Sequence, residues 1–165
     1  MVTSTSAIVL SKIRYKDNDI IVKLFTKEYG AISFIVKGGK NSKKNKIKYV
    51  YFQELTILEI QFDYNLKRDL QYIKDIEIKH NYTSSHTDLV KVSVIMFLSE
   101  VLSNVITHQK RDIQLYIYIE ESLIWYDINK SNTYFHMIFL IELTRYLGFY
   151  PDMLSNNFKY FNLEG

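Results

Sequence analysis

The spacing of apolar positions changes once along the chain, near residue 80, and that change predicts two parts. Upstream the period is two. In Ile20-Ile21-Val22-Lys23-Leu24-Phe25 one face carries Ile20, Val22 and Leu24, with Lys23 on the other; in the segment from Ala31 to Val36 one face carries Ile32, Phe34 and Val36. That is the pattern of strands. Glu28-Tyr29-Gly30 between them reads as a hairpin turn, with glycine where a positive φ is needed. Further strands are expected from about Ser6 to Arg14, from Tyr51 to Phe62 and from Leu70 to Ile78, where β-branched and aromatic residues such as Ile57, Ile60, Tyr72 and Ile76 gather. Five short strands, with no helical segment long enough for a parallel crossover, predict an OB-type β-barrel over residues 1–80.

Downstream, after the polar linker Asn81 to Thr87, the period becomes helical. Thr87 or Asp88 can cap a first helix from Leu89 to Ile106, apolar around most of its circumference and so expected to be buried on most sides. Asp112 can cap a second helix reaching about Asp127, with Leu115, Ile119, Leu123 and Tyr126 at three-and-four spacing. Thr133 can open a third that ends at Leu147-Gly148-Phe149-Tyr150-Pro151, with Gly148 beyond its last turn and Pro151 blocking continuation. Residues 81–165 therefore read as a small α-helical domain. Its last segment, with Phe158, Tyr160, Phe161 and Leu163, reads as unfinished, so this domain is expected to be incomplete.

Charge sharpens the division. The formal net charge is only +3, but residues 1–80 hold 15 Lys and Arg against 9 Asp and Glu, while residues 81–165 hold 6 against 9. The basic surplus belongs to the barrel half. Its densest part runs from Lys37-Gly38-Gly39-Lys40 through Lys43, Lys44, Lys46 and Lys48, six lysines before the next carboxylate at Glu54. Such a loop between strands is either a solvated charge run or an electrostatic seat for a polyanion. Lys12, Arg14 and Lys16 close the first strand, and Lys67 and Arg68 fill the turn before the last. Tyr15, Tyr29, Tyr49, Tyr51, Phe52, Tyr64 and Tyr72 are interleaved with these cations. Cations along a backbone and rings beneath bases are what single-stranded nucleic acid requires, although small barrels also fill their cores with such rings.

Catalysis finds less support. The absence of cysteine excludes disulfides, thiol nucleophiles and thiolate zinc sites within this chain, and fits a reducing compartment. His80, His86, His108 and His136 form no ligand-spaced cluster, and Lys37-Gly38-Gly39-Lys40 lacks the ending of a phosphate-binding P-loop. Glu120 and Glu121 are adjacent and diverge by about 100° on a helix. The chain is read as a non-enzymatic binding protein with no cofactor. It shows neither a signal peptide nor an apolar stretch long enough to span a bilayer, so a cytoplasmic location and no membrane contact are expected.

The order of these features resembles a known family. The run from Ala7 to Asp19, the hairpin ending Tyr29-Gly30, the loop Val36-Lys37-Gly38-Gly39-Lys40, the strand Tyr51 to Ile60 and the segment Leu147-Gly148-Phe149-Tyr150-Pro151 are similar to the RecO recombination mediators of bacteria. The resemblance implies an N-terminal OB domain, a C-terminal helical domain, binding and annealing of single-stranded DNA, and work with RecR and the single-stranded-DNA-binding protein to load RecA. Many members place four zinc-binding cysteines after the last of these motifs, where Asp152 to Asn157 stand here. Members are also longer, so the chain is expected to be truncated or reduced. The expected nucleic-acid contacts are Lys12, Arg14, Lys16, Lys23, Lys37, Lys40, Lys43, Lys44, Lys46, Lys48, Lys67 and Arg68. The helical half is expected to dock proteins. Lys110 and Arg111 are candidate contacts for the acidic tail of the single-stranded-DNA-binding protein. The competing readings are an OB protein-interaction module and an RNA-binding OB protein.

Overall fold

The computed structural model describes residues 2–16, 19–37, 49–107, 110–130 and 132–151. Five strands, β1 (Val2–Tyr15), β2 (Asp19–Thr26), β3 (Gly30–Val36), β4 (Ile57–Asp63) and β5 (Leu70–Ile78), close into a barrel in the order β1-β2-β3-β5-β4. All neighbours are antiparallel except β3 and β5. Three helices follow: α1 (Leu89–Val105), α2 (Ile113–Ile128) and α3 (Phe135–Leu147). This is the OB-type barrel with a helical second part that the residue pattern predicts.

Strand β1 is long because it serves two partners. Its first half pairs with β4 from Val2↔Asp63 to Ile8↔Ile57, and its second half pairs with β2 from Ala7↔Thr26 to Tyr15↔Asp19. A bulge between Val9 and Ser11 lets the strand turn from one sheet direction to the other. Both faces of Ala7-Ile8-Val9-Leu10 are buried, which explains the unbroken apolar run: Ala7 and Val9 enter the barrel, while Ile8 and Leu10 face the helices. The barrel interior is filled by Val22, Leu24, Ile32, Phe34, Val36, Leu58, Ile60, Phe62 and Ile76, with Phe52 among them. The second core joins Phe25, Leu55 and Ile57 to Ile95, Leu98, Leu102, Leu115, Ile119, Leu123 and Phe139. The helices are thus built onto the barrel by shared apolar burial.

Polar contacts fix the joint. Asp127, whose side chain is wholly buried, accepts the backbone N–H groups of Thr83, Ser84 and Ser85 at 2.8–3.1 Å, and His80 Nε2 lies 3.4 Å away. Burial alone would raise its pKa. The three N–H donors outweigh that and hold the carboxyl far below the usual range. Lys91, also buried, reaches from α1 to the end of α2 and donates to the carbonyls of Tyr126, Asp127 and Asn129, where helix carbonyls lack intrahelical partners. Tyr82 Oη donates to Leu55 O at 2.7 Å, His86 Nε2 lies 2.9 Å from Glu54 O, and Ser99 Oγ donates to Leu10 O at 2.8 Å.

Four expectations are corrected. The segment Tyr51 to Phe62 is not one strand: Tyr49–Phe52 forms a short 3-10 helix and β4 begins at Ile57. Between them Leu55 adopts φ 56°, so that Phe52 fills the barrel while Leu55 turns into the second core. Strand β1 starts at Val2 rather than Ser6, because Thr3, Ser4 and Thr5 carry it as hydroxyl partners of Tyr29, Glu59 and Glu28 instead of as apolar positions. Helix α1 is not buried on most sides: Ile95, Leu98, Ser99 and Leu102 line its covered face, while Val90, Met96 and Phe97 are exposed. Helix α3 starts at Phe135, its first turn held by Asn132, which accepts from Tyr134 N–H and Phe135 N–H, rather than by Thr133.

Candidate nucleic-acid interface

Past the bulge, β1 no longer pairs with β4, so Lys12 to Tyr15 form the edge of the β1-β2-β3 sheet at one mouth of the barrel, with Lys16 following. Alternation then assigns the side chains. Lys12 and Arg14 stand opposite Val22 and Ile20 on the inward side, whereas Ile13 stands opposite Ile21 on the outer side. Together with Lys16, Asp19 and Tyr49 they line an open pocket of about 680 Å³. Lys12 Nζ is set in place by Phe52 O at 2.9 Å and by the Glu54 carboxylate at 3.7 Å. Arg14 and Lys16 have no acidic partner among the described residues. Lys16, at φ 51°, lies with its Nζ 5.3 Å from the centroid of the Tyr15 ring.

The same mouth receives the ends of the lysine-rich segment. Strand β3 ends at Val36, beside Ile20 of the pocket, and the described chain resumes at Tyr49, which lines it. Lys37 is therefore at the mouth, whereas Lys40, Lys43, Lys44, Lys46 and Lys48 lie outside the described residues. Lys67 and Arg68 are placed differently. Because β5 is parallel to β3, with Leu70 beside Ser33 and Tyr72 beside Ile35, the turn before β5 lies toward the other end of the barrel. Only the Arg68 side chain comes back along the strand, to 5.8 Å from the Tyr72 ring, which Lys37 approaches from the mouth side at 5.7 Å.

Lys23 does not join this group. Its side chain points away from the barrel interior, as the alternation predicts, but α1 covers that face, and Nζ donates to Ser103 O at 2.9 Å. Burial lowers its pKa from the ordinary value. The rings also sort themselves. Phe52 is fully buried, and Tyr29 and Tyr64 pack with Phe62 at the closed end. Tyr15, Tyr49 and Tyr72 are exposed, at 36%, 49% and 45%.

What sequence reasoning missed is an apolar row on the outer wall: Ile13, Ile21, Ile35 and Tyr72 are register neighbours across β1, β2, β3 and β5. The signal was the unbroken Ile20-Ile21-Val22 and Phe34-Ile35-Val36, which place apolar side chains on both faces of two strands. Among the described residues no cluster of His, Asp and Glu is suited to a metal ion, and no helix is long and apolar enough to cross a membrane.

Fold and rim together define an OB-type barrel with a basic, tyrosine-bearing mouth, carried on a helical base. Two family models match in chain order: "Recombination protein O N terminal" over residues 1–82 and "Recombination protein O C terminal" over residues 86–158. Among curated proteins, the "DNA repair protein RecO" of Flavobacterium johnsoniae is 37% identical over 99% of this chain and 69% of its own length. Those of Christiangramia forsetii and Bacteroides fragilis are 37% and 35% identical, the matches covering 68% and 63% of their lengths. The chain belongs to the RecO family.

Proposed function

We propose that this protein acts in DNA repair by binding single-stranded DNA at the basic mouth of its barrel and promoting annealing of complementary strands without nucleotide hydrolysis. The observation that carries this reading is the pocket at the mouth, lined by Lys12, Arg14 and Lys16 with exposed Tyr49, to which Lys37 is adjacent at the end of β3. The cations neutralise phosphates, and the rings offer faces to bases without reading their identity. With its charge neutralised, a bound strand repels its complement less, and pairing follows. Family membership and the names of the relatives support the repair role.

RecR and the acidic tail of the single-stranded-DNA-binding protein are the proposed partners, in the service of loading RecA, with the helical half as the docking part. A shallow groove of about 380 Å³ on α1, lined by Phe97, Val101 and Val105 together with Glu100 and Asn104, offers partly apolar surface there. Lys110 and Arg111 follow α1 as exposed cations.

The test pairs gel shifts with an annealing assay on dye-labelled complementary oligonucleotides. Preference for single-stranded DNA over duplex, together with accelerated annealing in the absence of ATP, is expected. Preference for structured RNA would favour the translation-type alternative, and no binding to any nucleic acid would leave a protein-interaction module.

A further inference from the structure

The outer wall of the barrel carries a second feature beside the mouth. Tyr72 projects from β5 at the end of the apolar row Ile13, Ile21, Ile35, where outward positions of a free barrel wall would ordinarily be polar. Two cations from different elements lie over its ring: Lys37 Nζ at 5.7 Å, just past the end of β3, and the Arg68 guanidinium at 5.8 Å, from the turn before β5. Neither cation has an ion-pair partner among the described residues.

The turn that presents Arg68 is built rigidly. Gln71, buried beneath the sheet, donates Nε2 to Asn65 O and to Arg68 O, both at 2.8 Å, and accepts from Asn65 N–H at 3.1 Å. Asn65 Oδ1 in turn accepts from Lys67 N–H at 2.9 Å. One residue before Tyr72, the inward Gln71 therefore fixes the backbone from which the Arg68 side chain extends over the outward ring. The backbone beneath ring and cation is thus set before binding, and a base takes its place on the ring as the two cationic side chains swing from the ring to the neighbouring phosphates.

We infer that Tyr72 is the stacking platform for one base of a bound single strand, with Lys37 and Arg68 holding the phosphates on either side of it. This rests on the single-stranded DNA reading and adds a path to it. The strand leaves the mouth beside Lys37 and crosses the outer wall at the β3–β5 junction toward the closed end. That junction is the one parallel pairing of the barrel.

The experiment compares the full chain with Tyr72→Ala, Tyr72→Phe and Lys37→Ala/Arg68→Ala variants. The probes are an oligothymidine and an abasic oligonucleotide of equal length, titrated by fluorescence anisotropy at several salt concentrations. Circular dichroism confirms that each variant is folded. Tyr72→Ala is expected to weaken oligothymidine binding about ten-fold, the size of one base–aromatic stack. It should leave abasic binding and the salt slope unchanged, and Tyr72→Phe should behave as the unaltered chain. The double cation variant is expected to lower the salt slope by about 1.4, two single-strand phosphates at about 0.7 each. If Tyr72→Ala binds both probes like the unaltered chain while changes at Arg14 weaken binding, the platform is wrong and the mouth stands. If the unaltered chain binds neither probe, the reading beneath both is wrong.

Discussion

Replacing Asp127 by Ala tests how the barrel and helices are joined. The carboxylate is the common acceptor for the linker N–H groups of Thr83, Ser84 and Ser85, and it also accepts from Thr83 Oγ1 at 3.1 Å. Without it these donors have no other acceptor in the joint. Leaving a buried donor unsatisfied costs about 1–3 kcal/mol. Thr83 is exposed and Ser84 half-buried, so water recovers part of the loss there, whereas Ser85 is buried and loses its partner outright. The low end of that range for the first two and the middle for the third give about 4 kcal/mol. Against a typical total of about 5–15 kcal/mol the joint would be severely weakened. The midpoint of thermal unfolding should fall by about 10 °C for a chain of this size. Urea unfolding followed by circular dichroism measures the free-energy loss and a thermal melt the midpoint, and Asp127→Asn, which keeps one acceptor oxygen, should lose about half as much. A loss below about 1 kcal/mol for Asp127→Ala would refute the clamp, since even one orphaned donor costs that.

Acid should act on the same group. In the unfolded chain this carboxyl takes its proton near the ordinary value of 3.8, whereas in the folded protein it does so only at much lower pH. Its stabilisation is therefore complete above that value and is lost as pH falls below it, so Asp127→Asn should flatten the pH dependence of urea unfolding in that range. Lys23→Met should cost about 1 kcal/mol by removing the bond to Ser103 O, while leaving DNA affinity unchanged, because that lysine braces α1. A weakened DNA titration by this variant would contradict that placement. Gly148→Ala should destabilise by about 1 kcal/mol in thermal melts, because φ is 86° there while open space surrounds the position, so the cost is conformational alone.

The hairpin of β2 and β3 was legible because two β-branched and aromatic runs flank a short turn at which Gly30 adopts φ 71°. The Asp112 cap of α2 and the Gly148 end of α3 were legible for the same reason, each being a local signal answered by local geometry. Residues 51–56 were not. Their aromatic content suits a strand, but past Val9 strand β1 turns to β2, and of these residues Leu55 and Thr56 alone bond to its backbone, both at Val9, among the described residues. That is a fact of topology invisible in the local pattern. The covered face of α1 was misjudged on similar grounds, since a nearly all-apolar helix does not say how much of it the rest of the chain will cover.

In the candidate site, the cations at the end of β1 were legible as charge on alternating positions. The place of Lys23 was not, because which outer face the helices cover is a tertiary matter. Tyr72 could be named as one ring among seven. Its selection needed the parallel register of β3 and β5, which alone brings Lys37 and Arg68 to the same side chain.

The salt dependence of single-stranded DNA binding by the full chain, against the Lys12→Ala/Arg14→Ala/Lys16→Ala variant, tests the mouth most directly. If these three cations hold phosphates, affinity falls and the slope of log affinity on log salt becomes shallower by about 2, at about 0.7 per phosphate. An unchanged slope and affinity in a folded variant would place the DNA elsewhere and contradict the account.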